Sequence, residues 1–534
     1  MTAGSLTSRS FWRATGEVPV YAPLSANVTA EVCVVGAGLA GLTAAYQLAK
    51  NGMSVAVIEA LEIGGGESGR TTAHIAVPDD RYWYIEETHG RDAARLVAES
   101  FTAAIDCIEA TAREENIDCD FERVDGYLYS CAEHPRATLD KEFEAARRAG
   151  VAVNHEATLP AGVFDGAIDA GPCLRFRQQG QFHPVRYLAG LAGAVERRRG
   201  AIYTDSRALN VDERDGGVVV TTANGRIVAD AVVVATNTPF NDRVTLHTKQ
   251  VAYQTYVVAA HVPRGAVPGV LVWDDADPYH YVRTAPAGDG ERDVLIVGGA
   301  DHKTGHERDP AAHYASVESW MRTHFPQVGE LGWRWSGEVL EPLDGVAYLG
   351  RNPGSRNVYV ITGDSGNGIS HATIGGLLVS DLIMGRQNPW LGVYDPARKP
   401  LKEALQFIRA QSDVAARYAD WMSGGDEENA AGIARGEGAL VRSGLKKVAV
   451  YRDDEGGLHM HSARCTHLGC VVQWNSTEKT WDCPCHGSRF SAYGNVLHGP
   501  AVSALDAVSE EDWREIVEEQ PRAGRQREEK RRDV

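Results

Sequence analysis

Hydrophobic and polar positions divide the chain into blocks of different period. AEVCVVGAGLAGLTAAYQLAKNGMSVAVIEA (30–60) runs from a continuous apolar stretch through a glycine turn and a helical pattern to a second apolar stretch, which predicts a βαβ unit. Residues 1–28 read as polar and irregular. From about 90 to 150 the spacing is helical, as in RDAARLVAESFTAAIDCIEATAREENI, and ends at Gly150. Strand-like runs follow (GGVVVTT, ADAVVVAT, QVAYQTYVVAAHV, VLIVGG, NVYVITG) between loops rich in Gly, Pro and Asp. HATIGGLLVSDLIMG (371–385) predicts a helix, and NPWLGVYDPARKP carries turn chemistry. A polar helical stretch reaches about residue 422, where the composition changes to SGGDEENAAG. Beyond 440, LKKVAVYR and GLHMHS predict short strands. The charged tail after about 518 has no apolar pattern.

At 534 residues the chain exceeds one ordinary core. The predicted organisation is one large region over 1–422, a linker over 423–438, a small domain over 439–518 and a charged tail over 519–534. The net charge of −18 argues against nucleic acid or an anionic membrane as partner. No apolar run approaches a membrane span, and MTAGSLTSRSFWRATGE does not read as a signal peptide, so a cytoplasmic protein is expected. Of nine cysteines, Cys33, Cys107, Cys119, Cys131 and Cys173 are scattered, as free thiols are, whereas four crowd between 465 and 485.

Gly36-Ala37-Gly38-Leu39-Ala40-Gly41 follows a strand and opens a helix, and Glu59 ends the next strand 18 residues after Gly41. Such glycines allow a tight turn, close approach to a pyrophosphate, and tight helix–strand packing. The helix amino terminus favours phosphate, and Glu59 is placed to accept from ribose hydroxyls. The fingerprint alone does not choose between FAD and NAD. No second copy exists, because VLIVGGADHKTG reads as a strand ending in a turn. One nucleotide fold favours a bound flavin.

Further motifs occur in a fixed order: IGGGESGRTTAHI (63–75), QFHPVRYLAGLAGAV (181–195) with RGAIYTDSRALNV (199–211), ADAVVVATNTPF (229–240), LDGVAYLGR (343–351) and NVYVITGDSGNGISHATIGG (357–376). Over about 30–395 the chain resembles the D-amino-acid oxidase/glycine oxidase family. The resemblance implies a Rossmann-like α/β FAD-binding domain interleaved with an antiparallel-sheet substrate domain. It also implies oxidation of an amine or amino-acid C–N bond by hydride transfer to FAD. By the same resemblance, Ser68, Gly69, Arg70, Thr71 and Thr72 line the flavin and its phosphates. Ala208 meets the adenine, Ala235 and Thr236 close over the pyrophosphate, and Gly363, Gly366, Asn367, Gly368 and Ile369 wrap the flavin edge. Asn237 stands where several relatives carry glycine.

Candidate substrate groups are Tyr281 and Arg283, which alternate with His280 and so share a sheet face. They match the carboxylate clamp of amino-acid oxidases. Tyr253 and Tyr256 fall on opposite faces. His371 is a candidate for a substrate-side role. His74 follows the flavin segment and reads as a structural or second-layer histidine rather than a covalent attachment point, whose register differs, and His183 reads as structural.

Cys465-Thr466-His467, fifteen residues, then Cys483-Pro484-Cys485-His486 suggests zinc at first. The mixed pairs and the two spare cysteines count against it. The spacing resembles Rieske proteins, which implies a small all-β domain holding a [2Fe–2S] cluster. Cys465 and Cys483 would hold one iron, and His467 and His486 the other. The resemblance further implies a Cys470–Cys485 disulfide and a Ser488 hydroxyl donating to a bridging sulfide. Phe490 replaces the usual tyrosine, which predicts a somewhat lower potential.

Together these features predict an FAD-dependent dehydrogenase that passes electrons through the cluster to a ferredoxin, cytochrome or quinone. The alternatives are a reductase fed by an outside donor, and a redox-sensing flavoprotein without turnover.

Overall fold

The computed structural model describes residues 8–78, 80–131, 136–164, 171–241, 246–307, 309–399, 417, 419–422, 424–427, 429–443, 446–509 and 513. The predicted polar helix before 417 and the charged tail 519–534 lie outside them. The chain forms two compact units, 1–301 with 312–404, and 302–311 with 405–534. The second unit thus includes a ten-residue segment far from its other residues in sequence. Among the described residues no helix is long and apolar enough to cross a membrane.

In the first unit, Val28–Val35 lies at the centre of a mostly parallel sheet. Its order is Tyr348–Arg351, Val358–Thr362, Arg226–Val234, Val28–Val35, Val55–Ile58, Ala201–Tyr203. Val32, Cys33, Val34 and Val35 are all buried, which is why this strand is apolar on both faces. Each such side chain contributes about 1.5–3 kcal/mol. The Leu39–Lys50 helix packs on the sheet beside Gly368–Ile383, whose Gly376 leaves room for Thr43.

The second sheet runs Leu331–Pro342, Gln250–Pro263, Arg292–Lys303, His280–Pro286, Leu271–Asp274, Glu122–Tyr129, Cys173–Gln181, His74–Ile75. Alternation assigns its faces. On Gln250–Pro263, Val257 and Ala259 join the core shared with the first sheet, while Tyr256, Val258 and Ala260 pack on the Pro310–His324 helix with Tyr314, Val317 and Met321. The helical spacing expected from 90 to 150 is interrupted. Arg91–Glu114 and Arg136–Ala149 are helices, but Glu122–Tyr129 between them is a strand, which pairs with Cys173–Gln181. The polar start also carries structure: Phe11–Thr15 is a helix capped by Ser10, with Phe11 and Trp12 buried.

The second unit has two small antiparallel sheets. One is Glu437–Ser443, Lys446–Arg452, Leu458–Ser462, and the other Gln473–Asn475, Thr480–Asp482, Arg489–Ser491, Val496–His498. The Gly/Glu-rich stretch packs on the first of these. The Asp426 amide donates to Leu440 O at 2.8 Å, and the Trp421 indole donates to Gly469 O at 3.1 Å.

Candidate functional site

The nucleotide cradle is built at the carboxyl end of Val28–Val35. Gly36 has φ +108°, and a Cβ there would overlap the Ala235 carbonyl. A Cβ on Gly41 would overlap Gly36 O, and one on Gly38 would meet Ser68 Oγ at 2.8 Å. Gly36 and Gly41, which would strike backbone, therefore require glycine, and at Gly38 the Ser68 side chain would have to move. The Leu39–Lys50 helix has no side-chain cap at Gly38, and the Leu39 amide donates to Ser68 Oγ at 3.0 Å. The amide of Ala40 follows on the same opening turn. Glu59 accepts from the Ala37 amide (2.7 Å) and the Leu61 amide (2.9 Å), which fixes its carboxyl at the end of the second strand. Burial raises that carboxyl above its ordinary range. Ala208 is buried nearby, and the Ala235 amide donates to Val35 O. Thr236 Oγ1 donates to Thr238 O, and Asn237 takes φ +59°, a conformation asparagine tolerates in place of glycine. A turn that only glycine fits, an uncapped helix amino terminus and a fixed acid at the next strand end together suit the pyrophosphate and ribose of FAD.

The loop carrying Ser68, Gly69, Arg70, Thr71 and Thr72 is pinned from the amino-terminal helix. Ser10 Oγ donates to Gly69 O at 2.5 Å and Trp12 Nε1 to Thr71 O at 2.7 Å. Trp335 Nε1 donates to Arg70 O, and Arg70 in turn donates to Ser336 O. The sequence signal for this clasp was a serine before an aromatic pair, an N-cap pattern too short for periodicity to register.

Gly363 and Gly366 both have positive φ. Between them Asp364 accepts from the Leu340 amide, and burial followed by the acids Glu67, Glu341 and Glu338 pushes its carboxyl up to about 8. Ser365 and Glu341 both accept from Arg81 Nη1, at 2.5 and 2.6 Å. Asn367, Gly368 and Ile369 open the Gly368–Ile383 helix, which also lacks a side-chain cap. His371 lies inside that helix. Its Nδ1 is 2.8 Å from Asp364 O and its ring packs on Phe101 and Tyr394, so it is buried and far down the neutral range, at about 4. It is not brought together with Tyr281 or Arg283.

Arg283 is 2% exposed. It donates to the carbonyls of Ala73 (2.5 Å), Phe182 (3.2 Å) and Thr284 (3.2 Å) and stacks over Trp12. The guanidinium holds the 71–73 turn rather than forming a clamp with Tyr281, because the turn's carbonyls point at it. Tyr281 OH is instead 2.6 Å from Thr255 Oγ1, and its ring lies on Gly298, where a Cβ would overlap it. Tyr279 OH donates to Asp301 Oδ2 at 3.1 Å, with its ring 5.7 Å from that of Tyr281. His74 is a neighbour of this group. Its Nδ1 is 3.2 Å from Thr72 Oγ1 and its Nε2 is 3.2 Å from Val282 O. His183 caps the Pro184–Arg197 helix through Nδ1 and contacts Thr15 through Nε2, a structural role.

The second unit brings the predicted metal ligands together on two loops of matching design. The Cys465 amide donates to Cys470 O and the Cys483 amide to Ser488 O, both at 2.8 Å, and the chain turns at Gly469 and Gly487 with positive φ. The Cys465 and Cys483 thiols are buried next to each other, and the buried Ser488 hydroxyl beside Cys465 accepts from the Ala501 amide. The rings of His467 and His486 are 5.0 Å apart and half-buried. Cys470 and Cys485 form a disulfide, whose sulfurs lie within 4.8 Å of the Cys483 sulfur. Two thiols deep and two imidazoles shallow fit a [2Fe–2S] cluster with cysteines on one iron and histidines on the other. Among the described residues, none of the five scattered cysteines forms a disulfide. The 302–311 segment meets this loop: His306 Nε2 is 3.2 Å from Pro484 O, and Gly305 is packed on Pro484.

The family described as FAD dependent oxidoreductase matches residues 31–382, and the Rieske [2Fe-2S] domain matches 427–509. The chain is 29% identical over 502 residues to the putative Rieske 2Fe-2S iron-sulfur protein YhfW of Bacillus subtilis, spanning 93% of this chain and 97% of that one. It is 28% identical over 389 residues to gamma-glutamylputrescine oxidoreductase of Escherichia coli, spanning 68% of this chain and 87% of the relative. Glycine oxidase from Geobacillus kaustophilus superposes with a TM-score of 0.59 at 20% identity, covering 70% of this chain and 99% of that one. L-proline dehydrogenase from P. horikoshii superposes with a TM-score of 0.56 at 18% identity, covering 70% and 98%.

Proposed function

We propose that this chain, which belongs to the FAD dependent oxidoreductase family and ends in a Rieske [2Fe–2S] domain, is a dehydrogenase that oxidises an amine C–N bond and delivers the electrons to an external one-electron carrier. The observation that carries the reading is the presence, in one chain, of a nucleotide cradle at Gly36–Gly41 and a buried-thiol, shallow-imidazole site at Cys465, His467, Cys483 and His486. Bound FAD supplies a two-electron acceptor and the cluster a one-electron site of raised potential. An oxidase has no use for the second site, because reduced flavin reacts with O₂ directly.

The residues divide the work. The 36–41 turn and its helix amino terminus hold the pyrophosphate, Glu59 the ribose, and the 363–369 loop the flavin edge. The Tyr279–Tyr281 face orients the amine. In the second unit, His467 and His486 would hold one iron of the cluster, and these half-buried rings lie beside Leu468, itself 39% exposed, on the side where a carrier would dock.

Anaerobic titration with n-butylamine tests the reading. Flavin bleaching followed by the EPR signal of a reduced Rieske cluster is expected, with little H₂O₂ when air is admitted. Bleaching by NADH and not by any amine would instead make the protein a reductase.

A further inference from the structure

The second sheet contains an irregularity that nothing in the cradle requires. On Arg292–Lys303, Val294 and Ile296 face the core shared with the first sheet, while Leu295 and Val297 face the Pro310–His324 helix. Strict alternation would continue with Ala300 on the first face and Asp301 on the second. Ala300 packs instead with Leu295 and Val297. Gly299 has φ +150° and Ala300 φ +56°, a left-handed residue without glycine's freedom. This kink reverses the faces and delivers Asp301 to Tyr279 and Tyr281.

Asp301 Oδ2 accepts from Tyr279 OH at 3.1 Å, and the Thr255 hydroxyl beside the carboxyl also favours its ionised form, whereas Oδ1 is buried with no donor at hydrogen-bond distance among the described residues. A buried carboxylate oxygen without a donor marks a place for one. Thr255 stands beside it, its hydroxyl 2.6 Å from Tyr281 OH. The group borders the flavin loop, since a Cβ on Gly366 would be 4.0 Å from Tyr279 OH. Arginines in this region have partners within the chain: Arg81 binds Glu341 and Ser365, Arg283 three carbonyls, and Arg70 the Ser336 carbonyl. A carboxylate clamp is therefore not what the site offers.

Building on the reading above, we propose that Asp301, walled by Tyr279 and Tyr281, binds the substrate's ammonium group, and that the substrate class is an alkylamine with no carboxylate on the reacting carbon. A carboxylate bonded by Tyr279 and next to Tyr281 matches a cation by charge and by a charge-assisted hydrogen bond. A carboxylate on the substrate would face Asp301 and be repelled. Burial raises the Asp301 carboxyl only to about 6, which leaves it ionised at neutral pH.

The test is calorimetric binding to the FAD-loaded full chain with two compounds that lack the hydrogen needed for oxidation. They are tert-butylamine and 2-aminoisobutyrate, which differ by a methyl in place of a carboxylate. We expect tert-butylamine to bind at least about 10-fold more tightly, and Asp301→Asn to weaken it about 30-fold, the size of one charge-assisted hydrogen bond, with flavin content unchanged. Tighter binding of 2-aminoisobutyrate, unchanged affinity in Asp301→Asn, or binding of neither compound overturns the proposal. The comparison of the two compounds on the parent protein stands even where the variant does not fold. If tert-butylamine binds as expected and n-butylamine still fails to bleach the flavin, the dehydrogenase reading falls and the recognition site stands.

Discussion

The indole N–H of Trp12 donates to the Thr71 carbonyl at 2.7 Å, so a five-residue helix near the amino terminus holds the loop proposed to face the FAD phosphates. Trp12→Phe keeps the ring and removes the donor. It is expected to cost about 1 kcal/mol of stability and to weaken FAD binding several-fold. Trp12→Ala also empties a fully buried volume and is expected to cost about 3–5 kcal/mol. Urea unfolding and titration of the apoprotein with FAD, followed by flavin fluorescence, measure both.

Arg283 separates two roles by experiment. Its guanidinium satisfies the carbonyls of Ala73, Phe182 and Thr284, and burial brings it down to about 9. Arg283→Met leaves those carbonyls buried without a donor, so a loss of about 3 kcal/mol or more is expected. The drop is to be read as a lower Tm, with KM changing no more than FAD occupancy does. A residue clamping a substrate carboxylate would give the reverse: an unchanged Tm and a KM raised only for carboxylated substrates.

What the sequence made legible follows from the range of the interactions involved. The strand-turn-helix at 30–60 is written in neighbouring residues, because a strand buried on both faces must be apolar throughout and the turn must be glycine. The cluster loops are legible for the same reason, each pairing Cys with His over two or three residues. The placement of Tyr253 and Tyr256 on opposite faces follows from alternation alone. The contacts of Trp12, Arg283 and Asp301 are not legible in the sequence because their partners lie 59, 210 and 22 residues away. Arg283 in particular looks like a clamp beside Tyr281, until Ala73 and Phe182 are seen to surround it. Asp301 was hidden twice over, since alternation turns it to the wrong face and only the kink at Gly299–Ala300 corrects this.

The Cys470–Cys485 disulfide spans 15 residues between the two ligand loops. Closing a loop of that length stabilises by about 3 kcal/mol in the chain-entropy account. Cys470→Ser with Cys485→Ser is expected to assemble the cluster but lose it earlier on heating. The fall of the Rieske EPR signal with temperature, against the parent, measures the difference. An unchanged curve would show that the loops are held by the Cys465–Cys470 and Cys483–Ser488 backbone bonds alone.

Asp301 also sets an expected pH dependence. Charged and titratable groups around it are Tyr281 on the neighbouring strand and Tyr279 just before it, Glu341 on Leu331–Pro342, Arg81 beside Glu341, and His313 on the helix behind. Burial is the largest influence and raises the carboxyl to about 6. A raised acid favours its protonated form in the folded state, so its contribution to stability is full below about 3.9 and lost as pH rises through about 6. Cation binding runs the other way, because it needs the ionised form. Affinity for tert-butylamine is expected to be level above about pH 6 and to fall about tenfold per unit below it. Calorimetry across this range on parent and Asp301→Asn checks the break, which the variant should lack.

Phe490 and Ser488 allow the cluster's potential to be moved in both directions. Ser488 is fully buried, accepts from the Ala501 amide, and lies beside Cys465. Phe490 is fully buried opposite Trp481 and has no donor to offer. Hydrogen bonds to cluster sulfur favour the reduced state, which carries more negative charge. One such bond, at about 0.5–1.5 kcal/mol of difference between oxidation states, corresponds to roughly 20–65 mV for a one-electron couple. Phe490→Tyr is expected to raise the midpoint potential by that amount and Ser488→Ala to lower it, both with the ligand set intact. An EPR-monitored redox titration reads both shifts. If Phe490→Tyr leaves the potential unchanged, the ring's edge does not reach a sulfur ligand, and the absent tyrosine does not lower this cluster's potential.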